Sequence, residues 1–191
     1  VEVLLGPIEP FVTRLAERLG KAVEIAIEGR NVLIDPRIAR PVFQNLTHLI
    51  RNAVDHGIEE PEARGDKGGF GHVCVSVVEE ADHYTVRVSD DGAGVDVEQL
   101  AKRAIQKGTI DANVLDAMSN DERLQLVFVD GLSTAKETTE VSGRGVGMSA
   151  MRTAVIQAGG SVSIRTERGK GTSVTISLPK SEARSAAQAA E

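Results

Sequence analysis

Apolar residues recur along the chain with two periods, and the switches between them mark out its elements. Ile8, Phe11, Val12, Leu15 and Leu19 keep a helical spacing that Gly20 ends, which predicts a leading helix. Val23, Ile25 and Ile27 alternate with polar residues, and Val32-Leu-Ile34 follows across Glu28-Gly29-Arg30-Asn31, a pattern that predicts a hairpin. Asp35 before Pro36 supplies an N-cap and a first-turn proline for a long helix running to about His56. Val73 to Val78 and Tyr84 to Ser89 alternate as half-buried antiparallel strands. Helical patterns return over 97–107, 121–127 and 148–158, and a terminal hairpin joins 161–165 to 173–178 around Gly169. The stretch 131–145, rich in Ser, Thr, Gly and Glu, has no sustained period and reads as a mobile loop.

Length and composition narrow this to one core. The 191 residues suit a single domain over 21–179, preceded by the helix at 1–20 and followed by a tail at 180–191 with nothing to bury, expected to be disordered. A net charge of −6 argues against nucleic acid as a partner, because a phosphate-backbone binder needs a basic stripe. Aromatic residues make up only 3%, which removes base stacking on exposed rings and leaves the core to Val, Ile, Leu and Ala. The single cysteine, Cys74, cannot close an intramolecular disulfide and reads as a core thiol in a reducing compartment. No apolar run approaches the roughly 20 residues of a membrane span, and the first residues lack a signal-peptide pattern. The expectation is a cytoplasmic protein without a membrane span.

Three boxes carry the chemistry. His48, Asn52 and His56 are spaced by four, so they form one polar stripe on the helix, opposite Leu46, Leu49, Ile50 and Ala53. Imidazoles and an amide there suit magnesium, phosphate or proton transfer better than they suit plain solvation. Asp90 ends a strand just before Gly92 and Gly94, where its carboxylate could accept from an adenine amino group and Gly94 would let a flat base approach the backbone; alone, such a box is an ordinary turn. Gly143-Arg-Gly-Val146-Gly147 opens the helix at Met148, giving free backbone N–H groups at a positive helix end. Its spacing is not that of the dinucleotide fingerprint, and Gly169-Lys-Gly-Thr172 is not a Walker loop.

In order and spacing these boxes resemble the N box and glycine boxes of the GHKL ATPases, which include histidine kinases and gyrase. HLIRNAVDHGIE, VSDDGAGV, LSTAKETTEVSGRGVGM and GKGTSVTISLP resemble segments of the CheA-type histidine kinases, over residues 20 to 179. The resemblance implies a two-layer α/β sandwich, with helices on one face of a mixed, mostly antiparallel sheet and a mobile ATP lid. It implies ATP and Mg2+ as cofactors: Asn52 on the metal, with His48 and His56 near metal and phosphates as the catalytic set. It implies that Asp90 reads adenine with Gly92, Gly94 and Thr172 lining the base. It places Gly143, Gly145, Val146, Gly147 and Met148 at the lid hinge over Ser133 and Thr134, and Arg103 at a phosphate, with Lys102 an equal candidate.

The implied reaction is transfer of the γ-phosphoryl to a histidine on a separate phosphotransfer domain, with a response regulator as an indirect partner and a homodimer formed through a segment outside these residues. His48 replaces the water-activating glutamate of GHKL hydrolases, which disfavours an ATPase clamp as the alternative. A nucleotide-binding regulatory pseudokinase is the other, since the chain departs from the family at Asp130 and Leu132, where Pro and Phe are usual, and at Ser149, where Asp is usual.

Overall fold

The computed structural model describes residues 1–132 and 147–180. A five-stranded sheet in the order β1-β2-β3-β5-β4 is the frame, built from β1 (Val23–Glu28), β2 (Gly71–Glu79), β3 (His83–Asp90), β4 (Ser161–Glu167) and β5 (Gly171–Pro179). All neighbours are antiparallel except β1 and β2, which run parallel from Val23 opposite Gly71 to Glu28 opposite Ser76. Among the described residues seven α-helices join them: α1 (Glu2–Leu5), α2 (Ile8–Leu19), α3 (Pro36–Asn52), α4 (Val97–Gln106), α5 (Ala112–Ala117), α6 (Asn120–Leu124) and α7 (Met148–Gln157).

Strand alternation divides the sheet into two faces. Val73, Val75, Val77, Val86, Val88, Ile176 and Leu178 are buried and meet the helices, while Ser76, Arg87, Ser163 and Thr175 lie on the other face, partly or fully exposed. This is the two-layer sandwich with a mixed, mostly antiparallel sheet. Val12 and Leu15 of α2 share the core with Phe43, Leu46 and Ile50 of α3. A second cluster, Leu100, Ala104, Leu115, Leu126 and Leu132, packs α4 to the segment that leads toward residue 133.

Three local readings are corrected. Val32 to Ile34 is not a strand: β1 instead pairs with β2, whose inward valines match the phase of Val23, Ile25 and Ile27 over six residue pairs. Gly29, at φ +73°, turns the chain away, and any Cβ there would lie 1.8 Å from the Val77 carbonyl oxygen. Cys74 is not a core thiol, for it alternates onto the open face and is only half-buried. The helical pattern at 121–127 resolves into α6, capped reciprocally by Ser119 and Glu122, and a 3-10 turn at Gln125–Phe128. The lid expected at 131–145 and the tail expected at 180–191 fall, apart from Gly131, Leu132 and Lys180, outside the described residues.

Candidate functional site

The side chain of Asp35 accepts from the Arg37 N–H and starts α3, and Pro36 occupies its first turn. Seventeen residues later α3 ends at Asn52 and widens into a π turn at Ala53–Gly57. Such widened turns often stand at functional sites, because they rotate side chains out of the α-helical register. Here the carbonyls of Val54, Asp55 and Ile58 are gathered by the Lys21 ammonium, at 3.0, 2.6 and 2.8 Å. Asn52 and His56 thereby face a cavity of about 450 Å³ between α3, α4 and the ends of β3 and β5.

Asp90 stands at the opposite wall, two residues beyond buried Val88 on the inward phase of β3. Glycines let the backbone crowd around its carboxylate. A Cβ on Gly57 would come within 3.1 Å of Asp90 Oδ1, one on Gly92 within 2.0 Å of the Gly57 oxygen, and one on Gly171 within 1.9 Å of the Asp90 oxygen. The Gly92 N–H donates to Asp90 Oδ1 at 3.0 Å. Burial pushes the Asp90 carboxyl up to about 6, against the backbone donors Gly92 and Thr172, and with help from the negative charges of Asp91 and Glu59.

The turn after Asp90 is stitched on both sides. The Ala93 N–H donates to the Gly57 carbonyl at 2.8 Å, the Gly169 N–H donates to the Ala93 carbonyl at 2.8 Å, and the Val95 N–H donates to Thr166 Oγ1 at 2.8 Å. Gly94 adopts φ +75° with its would-be Cβ 2.5 Å from the Glu167 oxygen, so only glycine fits. Thr166 Oγ1 also lies 3.2 Å from Thr172 Oγ1, joining the hairpin turn to the cavity wall.

Of the residues singled out from the sequence, Asn52, His56, Asp90, Gly94, Arg103, Met148 and Thr172 line this one cavity. Lys102 does not line it and is exposed on α4, which separates the two basic candidates. Gly92 sits behind Asp90. His48 and Gly147 stand together at the α3–α7 junction, where a Cβ on Gly147 would be 3.7 Å from that of His48, and neither lines the cavity. Partial burial and the Arg51 charge hold the His48 imidazole below its usual range. Ser133, Thr134, Gly143, Gly145 and Val146 lie outside the described residues.

The lining fits a nucleotide. Leu49, Val88, Ile164 and Val174 make apolar walls, suited to a flat base, beside the half-buried carboxylate of Asp90. Among the described residues the Asn52 amide has no hydrogen-bond partner and Arg103 no ion pair, which leaves one oxygen ligand and one cation turned to the cavity. The first residue of α7, Met148, lines it too, and Gly147 provides no side-chain cap for the N–H groups there. Sequence reading missed Lys21, Arg64, Thr166, Asp96 and Gln99. Asp96 had a signal, as the N-cap of α4, and Gln99 lies in the first turn of that helix; Lys21, Arg64 and Thr166 each have a partner far away in the chain. The departures Asp130 and Ser149 meet, with Ser149 Oγ donating to the Asp130 carboxylate, and Leu132 is buried in the cavity wall.

Residues 39–182 match the family model described as histidine kinase-, DNA gyrase B-, and HSP90-like ATPase. The chain is 40% identical over 178 residues to chemotaxis protein CheA of Halobacterium salinarum, covering 92% of this chain and 27% of that protein. It is 39% identical over 181 residues to chemotaxis protein CheA of Klebsiella aerogenes, covering 94% and 27%. The chain thus spans about a quarter of the length of the curated relatives it matches. The fold is similar to the histidine kinase domain of the Erythrobacter litoralis EL346 blue-light activated histidine kinase, with a TM-score of 0.55 at 16% identity over 95% of this chain and 67% of that one. The likeness to CheA-type histidine kinases read from the sequence boxes is upheld, and the chain belongs to the family of histidine kinase-, DNA gyrase B-, and HSP90-like ATPases.

Proposed function

We propose that this chain binds Mg-ATP in the cavity between Asn52 and Asp90 and transfers the γ-phosphoryl to a histidine on a separate phosphotransfer domain, in cytoplasmic, chemotaxis-like two-component signalling. The observation that carries the nucleotide reading is the convergence of Asn52, Asp90, Arg103 and Met148 on one cavity. The kinase reading adds to it the identity to CheA proteins over nine-tenths of the chain. No helix of the described residues is long and apolar enough to cross a membrane.

Asp90 accepts the adenine amino group while Gly94 and Thr172 bound the ring, which fixes the base at the deep end. Arg103 and the N–H groups at the start of α7 draw the phosphates along α3, and Ser133, Thr134 and the glycines at 143, 145 and 147 serve as lid and hinge. The Asn52 carbonyl oxygen would hold a magnesium ion, which would supply charge neutralisation when bound. His56, lining the cavity one turn beyond Asn52, orients the phosphate end, and His48 stands at the lid base. The incoming imidazole is itself the nucleophile: a nitrogen–phosphorus bond forms as the γ-phosphorus to bridging-oxygen bond breaks and ADP leaves. Phosphoryl transfer of this kind rests on positioning and electrostatics, so no serine or cysteine nucleophile is needed.

Incubation with γ-labelled ATP, magnesium and candidate histidine phosphotransfer domains tests the proposal. Acid-labile label on the acceptor, lost in Asn52→Ala with the fold intact, is the expected result. Steady phosphate release with no labelled acceptor would point to an ATPase clamp, and nucleotide binding with neither to a regulatory module.

A further inference from the structure

Behind the Asp90 turn, outside the cavity, lies a cluster of charges that the nucleotide reading does not use. Arg64 is the one residue with a charged or polar side chain that is buried among the described residues, its side chain 1% exposed. It lies in the loop between the π turn and β2. Its guanidinium donates to Glu59 Oε2 at 3.0 Å, to Asp91 Oδ2 at 2.8 Å and to the Gly68 carbonyl at 3.0 Å. The Asp91 carboxylate is held on its other side by the His72 N–H, at 2.8 Å. Lys67 completes the arrangement, donating to Glu59 Oε1 at 2.7 Å and to the carbonyls of Asp91 and Gly92 at 2.9 and 2.7 Å.

We infer that Arg64 and Lys67 form a cationic clamp that positions the adenine-reading turn, and so act as positioning residues for base recognition. Three observations make the connection. The Asp91–Gly92 peptide, which Lys67 holds by the Asp91 oxygen, is the one whose N–H orients Asp90 Oδ1. Arg64 fixes the side chain next to Asp90, and neither cation lines the cavity. Arg64 also pairs with Glu59 and Asp91, and Lys67 with Glu59, which offsets part of the negative charge beside Asp90. A buried arginine is costly unless every donor direction is met, and here a planar fork spans two carboxylates and a carbonyl, a geometry that lysine cannot copy.

The inference rests on Asp90 as the adenine reader, so the test separates the two. Affinities for Mg-ATP and Mg-ITP, which lacks the exocyclic amino group, are measured by titration calorimetry. The wild type should prefer ATP by about tenfold or more. In Arg64→Met that preference should collapse toward unity with the ITP affinity within about twofold of wild type. Equal loss for both nucleotides, or an unchanged preference, overturns the clamp as a positioning device. The clamp is also read without nucleotide: amide exchange at 91–93 should speed up about tenfold in Arg64→Met, with β4 unaffected, and unchanged exchange overturns it. A wild type with no preference for ATP sinks the reading of Asp90 instead, and leaves the exchange result to judge the clamp. Should Arg64→Met lose its cooperative melting transition, Lys67→Met, with a partly exposed side chain, carries the same measurements.

Discussion

Asp90 serves two masters, and they pull in opposite directions. Its carboxyl has an ordinary value near 3.8 and is raised to about 6 in the fold, first by burial. Folding thus favours the protonated form. The stability from this group is fully present below about pH 4 and is lost as pH rises through about 6, an effect on the order of 3 kcal/mol. Asp90→Asn should abolish that slope, so nucleotide-free melting temperatures of wild type and variant measured from pH 4 to 8 should diverge, with the variant ahead at the alkaline end. Nucleotide binding has the reverse sign, because an adenine amino group donates best to the ionised carboxylate. The preference for ATP over ITP should therefore grow between pH 5 and 7 in the wild type and stay flat in Asp90→Asn. A preference independent of pH would remove Asp90 from the base.

At the scale of elements, the π turn is the part that sequence reading could not supply. The four-residue spacing of His48, Asn52 and His56 implies one stripe; Asn52 and His56 line the cavity, His48 stands one turn back beside Gly147, and after Asn52 the helix widens. Nothing local encodes that. The turn is held by Lys21, which lies before β1 in the chain. Lys21→Met would leave three carbonyls without their ammonium partner, at a cost of about 2 kcal/mol, or roughly 4–8 °C in melting temperature for a chain of this size. Thermal unfolding checks it; a variant that melts with the wild type would show that water replaces the ammonium. Elements set by their own periodicity were legible: α3 with its Asp35 cap, the β2–β3 pair, α4, α7 and the β4–β5 hairpin. Elements set by distant partners were not. The turn signal at 28–31 suggested a hairpin, but the inward valines of β2 offered β1 a longer ladder.

For the molecule as a whole, the core is shared by α2, α3, α7 and the sheet, so a nucleotide that bridges α3 and β3 should stabilise all of it. Mg-ATP at a hundred times its dissociation constant should add about 2.7 kcal/mol. Chelation of magnesium should withdraw most of that increment while leaving the nucleotide-free melting temperature alone, a comparison that scanning calorimetry makes directly. A shift that survives chelation would exclude Asn52 as a metal ligand. The placing of Asn52, Asp90, Gly94 and Thr172 around one cavity was legible through the resemblance of the boxes to the GHKL ATPases, whereas residue type and spacing by themselves gave only a polar helical stripe and a glycine-rich turn. The scaffolding behind it, Arg64, Lys67 and Thr166, was not, since a buried ion pair looks the same in sequence as a solvated one.

The antiparallel pairing of β3 with β5 has a kinetic corollary. The β2–β3 and β4–β5 contacts each close through a short turn, whereas Asp90 meets Thr172 only after α4, α7 and β4 have been folded back between them, a longer excursion than the one from Val23 to Gly71. Closing it is entropically slow, and this central seam of the sheet should zip last during refolding. Until it does, the carboxylate and the threonine of the cavity stand on separate hairpins, so competence to bind ligand should emerge late, in step with protection of the β5 amides and behind that of the β2–β3 pair.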